Sequence, residues 1–203
     1  MRILAEEIFR LNNRHIKLNS KYIKTCLTGI VLMVVVLCIT LYVYADSQSK
    51  AEYKVKSAFI YNIINFIEWP IDQGINDAIN LCVVGKNHFG TALDSFEYNT
   101  IGDKVLAIEY VPLLQDIGGH NVVFICPSEK KRLKQILQTL AGTNILTIGD
   151  TKGFAQQGVI INFYIKDEKV RFEINVDAAK RANLKIRAKL LRLAKIVHGI
   201  SDK

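Results

Sequence analysis

The chain has little of what would metallate, rigidify or phosphorylate-bind a protein. Three prolines among 203 residues leave no Pro-rich linker, and no low-complexity tract or internal repeat divides the later part. The four cysteines include no Cys-x-x-Cys, and the histidines after residue 45, His88, His120 and His198, are scattered. A zinc centre needs clustered thiolate or imidazole donors, so this pattern argues against a metal site. Also missing are a Gly-x-Ser-x-Gly elbow, a Gly-x-x-x-x-Gly-Lys-Ser/Thr loop and a His-Glu-x-x-His pair. These absences weigh against serine hydrolase, nucleotide hydrolase and metalloprotease chemistry. No catalytic residue, metal or cofactor is therefore expected.

One absence is positional. From Thr25 to Ala45 no charged residue occurs, and Leu, Ile, Val and Met dominate. A membrane-spanning helix needs roughly 20 apolar residues, so this run is expected to meet lipid. Ahead of it stand Arg2, Arg10, Arg14, Lys17, Lys21 and Lys24 against Glu6 and Glu7. That excess of positive charge keeps the N-terminus cytoplasmic and sends the remainder across the membrane. Val43-Tyr44-Ala45 resembles a signal-peptide cleavage site, with the cut between Ala45 and Asp46. The apolar run exceeds a usual signal core, so an uncleaved signal anchor is the alternative. Residues 1–45 are read as a basic segment plus signal peptide or anchor, and residues 46–203 as one exported domain.

The formal charge of +8 is shared equally between residues 1–45 and the remainder, which weakens any case for nucleic acid. Lys180, Arg181, Lys185, Arg187, Lys189, Arg192 and Lys195 form a basic run that solvates a helix face or meets an acidic surface. In an oxidising compartment Cys82 and Cys126 form an even pair. A bridge requires their Cα atoms to lie roughly 4.4–6.8 Å apart. Cys82 stands mid-strand and Cys126 at a strand end, so register decides, and the disulfide stays open.

Residues 51–68 place Val55, Ala58, Phe59, Asn62, Ile63, Phe66 and Ile67 at helical spacing, and Trp69-Pro70 ends the helix. Ile79–Gly85, Lys104–Val111, Asn121–Cys126 and Asn144–Ile148 read as strands. Phe89–Phe96 and Ser128–Leu140 read as helices between them. Strands alternating with helices, nearly all apolar, imply an α/β domain whose mostly parallel sheet is covered on both faces. Residues 158–175 predict an antiparallel hairpin turning at Lys166-Asp167-Glu168-Lys169, and Val176–Val197 predicts a helix broken near Asn183-Leu184.

The segment Gly149-Asp150-Thr151-Lys152-Gly153-Phe154-Ala155-Gln156-Gln157-Gly158 is glycine-rich and leads into that hairpin. Asn162, Arg171, Glu173 and Asn175 interrupt apolar runs, so each must face water, pair or hold the loop. Asp150 is expected to make a local turn bond toward Thr151; Arg171 and Glu173 share a strand face and are expected near Asn162 or Asp150. Gly85-Lys86-Asn87-His88-Phe89-Gly90 follows a strand and is a weaker candidate for holding an anion at a helix start.

Several ordered motifs carry a resemblance. They are Tyr53-Lys54-Val55-Lys56-Ser57-Ala58-Phe59-Ile60-Tyr61-Asn62, Phe66-Ile67-Glu68-Trp69-Pro70, Leu81-Cys82-Val83-Val84-Gly85, Leu146 to Ala155, Arg171-Phe172-Glu173-Ile174-Asn175 and Lys189-Leu190-Leu191-Arg192-Leu193-Ala194. In this order they resemble the YfiR-like family of exported bacterial proteins over about residues 51–197. The resemblance implies a Rossmann-like three-layer sandwich without catalysis. It further implies a periplasmic regulator that binds and inhibits a membrane-bound signalling protein, such as a diguanylate cyclase or a kinase with a periplasmic part, in c-di-GMP signalling. Homodimerisation belongs to that expectation, and a small-ligand sensor feeding such a system is the alternative. Asp150, Phe154, Asn162, Arg171, Glu173 and Asn175 are then the candidate interaction or loop-holding residues. One departure is Arg187-Ala188, where the family often has hydroxyl residues that would cap a helix.

Overall fold

In the computed structural model the backbone is described for residues 2–70, 77–111 and 117–199; within the first helix, side chains are described at 25, 27–40, 42 and from 48 onward. Two units result, residues 1–49 and 50–203. Helix α1 is assigned Arg2–Ile64, of which residues 50–64 belong to the second unit. In the first unit Leu27, Ile30 to Leu37 and Ile39 are exposed. Among the described residues no helix is long and apolar enough to cross a membrane. The side chains at 26, 41 and 43–47, with the Ala45–Asp46 junction among them, lie outside the description, so membrane insertion and cleavage there rest on the sequence.

The second unit is built on the short apolar runs. They form β2 (Ala78–Val84), β4 (Lys104–Val111), β5 (Val122–Ile125), β6 (Leu146–Gly149), β7 (Ile161–Lys166) and β8 (Lys169–Asn175), with β3 (Thr100–Ile101) and β10 (Lys195–Val197) at the edges. The sheet order is β10-β8-β7-β6-β5-β2-β4-β3. All neighbours are parallel except β3 with β4 and the β7–β8 hairpin. A separate antiparallel pair joins β1 (Ile67–Glu68) to β9 (Lys185–Ile186).

Alternation sends successive side chains to opposite faces. Leu81, Val83, Phe124, Leu146 and Ile148 pack with Tyr53, Ile60 and Ile63 of α1. Cys82, Val84, Val123 and Ile125 pack on the other face with Leu133 and Ile136 of α2 (Leu133–Thr139) and Phe154 of α3 (Phe154–Gln157). The result is the expected three-layer α/β domain with a mostly parallel sheet and a C-terminal antiparallel hairpin. It also settles the cysteines. Cys82 and Cys126 are buried thiols with no bridge, because Cys82 joins one apolar layer and Cys126 the other.

Three local expectations change. Phe89–Phe96 is not an α-helix: a turn runs into a short 3-10 segment, Asp94–Phe96. The helix expected from Ser128 opens as a 3-10 turn, Pro127–Arg132, before α2. Val176–Val197 divides into α4 (Val176–Arg181), β9, α5 (Ala188–Leu191) and β10. Helix α4 stops because Asn183 takes a left-handed φ of 53°, while Asn183 N–H bonds Lys180 O and Leu184 N–H bonds Ala179 O. That is a Schellman stop, and buried Leu184 anchors it. Helix α5 begins without a side-chain cap at Arg187.

Candidate functional site

The glycine-rich segment follows the C-terminal end of β6, and its conformation is dictated by two left-handed glycines. Gly153 at φ 90° and Gly158 at φ 118° bracket the single turn of α3, conformations that cost other residues strain. Gly149 lets the chain pass close to the core, since a Cβ there would meet Phe154 Cδ2 at 2.7 Å. Phe154 is fully buried and holds the loop from below.

Asp150 is tied not to its own loop but to α1. Its Oδ2 accepts the Tyr53 hydroxyl at 2.7 Å and the Lys56 ammonium at 2.8 Å, across more than ninety residues of sequence. Tyr53 and Lys56 are three residues apart, hence on one helix face, and Glu52 meets the same ammonium one turn back. The Lys56 and Asp150 side chains are 4% and 1% exposed, so this is a buried ion pair and needs every partner it has. Lys56 Nζ lies 4.3 Å from the Tyr53 ring centroid. The Tyr53 ring stacks on His88 at 5.4 Å and meets Phe89 edge-on. Burial, and then the Asp150 carboxylate, push the Tyr53 phenol well above its ordinary range. Burial likewise, followed by Asp150, pushes the Cys126 thiol up to about 12, which makes it inert as a nucleophile.

The chain reverses its order across the sheet between β2 and β5, the position beyond whose strand ends α/β domains usually bind ligands. Here the loops after β2 and β5 are joined across that crevice. Ser128 Oγ accepts Lys86 N–H at 2.9 Å and donates to Glu129 Oε1. A Cβ on Gly85 would sit 2.4 Å from Ser128 Oγ. Asn87 Oδ1 takes the Phe89 N–H. The Lys86 and Phe89 amides are committed and no α-helix starts there, so residues 85–90 lack the helix N-terminus on which the anion site considered from the sequence depended.

An open cleft of about 630 Å³ lies instead beside α3, β7 and β8, lined by Asp150, Lys152, Gln156, Asn162, Glu173 and Lys195 among others. Asn162 Nδ2 donates to Glu173 Oε1 at 3.3 Å, and Lys195 Nζ to Glu173 Oε2 at 3.3 Å. Buried Asp150 Oδ1, Asn162 Oδ1 and Gln156 Oε1 have no hydrogen-bond partner. Three of the sequence candidates, Asp150, Asn162 and Glu173, thus share one cleft. The others do not. Asn175 is turned into the fold, where Nδ2 donates to Ala155 O at 2.6 Å and Oδ1 caps α4 by accepting Ala178 N–H at 2.8 Å. Arg171 is exposed across the hairpin from Tyr164, and Glu173, not Arg171, meets Asn162. Tyr53, Lys56 and Gln156 stood in the sequence motifs without being taken as site residues, and Lys195 entered only as part of the basic run. Their one advance signal is Lys56 on an otherwise apolar helix face, four residues after Glu52.

Among the described residues no group of three or more His, Cys, Asp or Glu is arranged to hold a metal. The fold and cleft define an α/β domain whose buried polar groups fasten a helix to a loop. Comparison with known families matches residues 53–195 to the YfiR/HmsC-like family, and the chain belongs to it. Among solved structures, a conserved domain protein from Vibrio cholerae O1 biovar El Tor superposes with a TM-score of 0.48 at 9% identity, covering 71% of this chain and 59% of that one. An ABC domain from Streptococcus pneumonia, crystallised with L-Trp, superposes with a TM-score of 0.46 at 9% identity, covering 58% and 56%. The chain therefore spans little more than half the length of these solved chains, and at that identity no functional detail passes between them.

Proposed function

We propose that this protein is an exported regulator that binds a membrane-bound signalling protein and restrains it, with a diguanylate cyclase of c-di-GMP signalling as the partner class. The observation that carries this reading is the family match over residues 53–195, which covers the whole sheet from β2 to β8 and the loop that holds α1. The sequence of residues 1–45 supports an address across the membrane, either as a cleaved domain or as one tethered through residues 25–45. In this reading the protein acts by association and not by turnover. The buried groups at the site fit that role: Asp150 Oδ2 is engaged by Tyr53 and Lys56, and burial pushes the Cys126 thiol up to about 12.

The test is recovery of the tagged full chain from detergent-solubilised membranes of its own host, together with cellular c-di-GMP with and without its gene. The expected result is a co-purifying membrane signalling protein and a rise in c-di-GMP on deletion. Recovery of no such protein, with c-di-GMP unchanged, overturns the reading. A second reading, a small-ligand sensor in such a system, is favoured by the cleft of about 630 Å³. Stabilisation of the chain by a small ligand, with no membrane protein recovered, would select it.

A further inference from the structure

The basic run near the C-terminus carries more charge than the fold neutralises. From Ala178 to Ser201 the chain has seven lysines and arginines and no carboxylate. Among the described residues three carboxylates oppose them: Glu68 bonds Arg187 and pairs in register with Lys185, Glu173 bonds Lys195, and Asp177, engaged by His198, lies near Arg181. Lys189 and Arg192 are exposed and have no ion pair among the described residues.

Helix α5 (Ala188–Leu191) fixes where these two cations stand. Arg192 N–H bonds Ala188 O and Leu193 N–H bonds Leu190 O, so the turn continues through Leu193. Lys189, Arg192 and Leu193 stand at i, i+3 and i+4, hence on one side, and buried Leu190 lies on the other. Lys189 Nζ reaches over Phe66, 5.7 Å from the ring centroid. Leu193 is 67% exposed, the most exposed aliphatic side chain described in the second unit. A merely solvated face has no use for that leucine; a surface of charged headgroups above acyl chains has a use for both leucine and cations.

We propose that the α5 surface of Lys189, Arg192 and Leu193 docks on an anionic phospholipid bilayer, the cations on headgroup phosphates and Leu193 among the upper acyl chains. The inference rests on the tethered form of the function proposed above and deepens it, since docking holds the domain against the bilayer in which its partner stands. Two observations favour lipid over an acidic protein. One is the exposed leucine at the apex of the cationic turn. The other lies in the same chain: the uncharged run of residues 25–45, expected to meet lipid, ends five residues before the second unit begins at Lys50. A bilayer is therefore always within the domain's reach.

The test is amide hydrogen exchange of the full chain in lipid nanodiscs, with phosphatidylcholine alone or mixed with phosphatidylglycerol at about 3:1. Exchange over residues 188–197 should slow about threefold or more in the anionic discs, with β5 unchanged. Salt at about 0.5 M should reverse the slowing, because exposed charges are then screened. Lys189→Glu with Arg192→Glu should abolish it, and Leu193→Ser should retain only part; all three positions are exposed, so both variants should melt with the parent chain. Equal exchange in the two lipids, or undiminished slowing in the double variant, overturns the lipid surface. An undiminished response in Leu193→Ser overturns the insertion of that side chain. Slowing by soluble polyglutamate with no response to phosphatidylglycerol assigns the surface to an acidic protein and overturns the proposal. A chain released from the discs by cleavage after Ala45 removes the tethered reading and this inference with it, whereas a retained chain without lipid-dependent slowing removes this inference alone.

Discussion

Asp150 carries more of this domain than its place in a turn suggests. Asp150→Ala leaves the Lys56 ammonium, 4% exposed, with Glu52 alone and the Tyr53 hydroxyl without its acceptor. Breaking a buried pair from one side costs about 3–5 kcal/mol, which urea denaturation of the variant would show as a lowered midpoint. Cys126 yields a second expectation at this scale. Its thiol is held at about 12 instead of 9.0, chiefly by burial. Below the ordinary value neither folded nor unfolded thiol ionises and stability is unaffected. Above it the unfolded thiol ionises first, so its contribution is lost as pH rises toward the folded value. Iodoacetamide at pH 8 should therefore leave Cys126 unmodified in the native chain and label it in urea, as peptide masses would report. Asp177 behaves oppositely. The His198 hydrogen bond holds its carboxyl below the ordinary value, so its contribution is present above that value and lost as pH falls through the folded one. In His198→Ala the Asp177 titration should move upward by NMR. At this scale Asp150, Asn162 and Glu173 could be found in advance as polar interruptions of apolar runs. Their partners could not, because Tyr53 and Lys56 lie 97 and 94 residues away from Asp150.

Elements were most legible where the local code is strongest. The β7–β8 hairpin turns at Asp167 and Glu168, both left-handed at φ 52° and 57°, inside the Lys166–Lys169 turn read from sequence. Mirror-type turns match strand twist, so the hairpin survives without a glycine. The C-terminal stretch was misjudged as mostly helix because its apolar residues recur at helical spacing. Tertiary pairing overrode that signal, since Lys195–Val197 completes the sheet beside β8 and Lys185–Ile186 pairs with β1. Two substitutions test how these elements are joined. Asn175→Ala removes the α4 cap and the bond to Ala155 O, and should cost about 2–3 kcal/mol of unfolding free energy. Gly85→Ala should cost at least about 2 kcal/mol, because φ is 98° and the new Cβ would lie 2.4 Å from Ser128 Oγ. Both would be measured by chemical denaturation.

Across the whole second unit, β10 has a duty beyond its three residues. It covers one edge of β8, and its Lys195 holds Glu173 at the cleft. Truncation before Lys195 should expose a strand edge and produce concentration-dependent self-association by light scattering, where the full chain is expected to be better behaved. The α/β class, the parallel core and the hairpin follow from periodicity and polarity along the chain, because alternation and apolar run length are local properties that burial reads directly. The absence of familiar catalytic and metal-binding signatures was equally a property of the chain alone. Folding decided what those properties cannot encode. Strand parity put Cys82 and Cys126 into different apolar layers, although two strands pair only a few residues away. It joined the loops after β2 and β5 across the usual ligand crevice, where Lys86 N–H bonds Ser128 Oγ. It also brought Asp150 from the loop after β6, Asn162 from β7 and Glu173 from β8 around one cleft, with Tyr53 and Lys56 of α1 behind it. Such convergence depends on the sum of long-range pairings, and hydrogen bonds between residues so far apart in sequence leave no periodic trace.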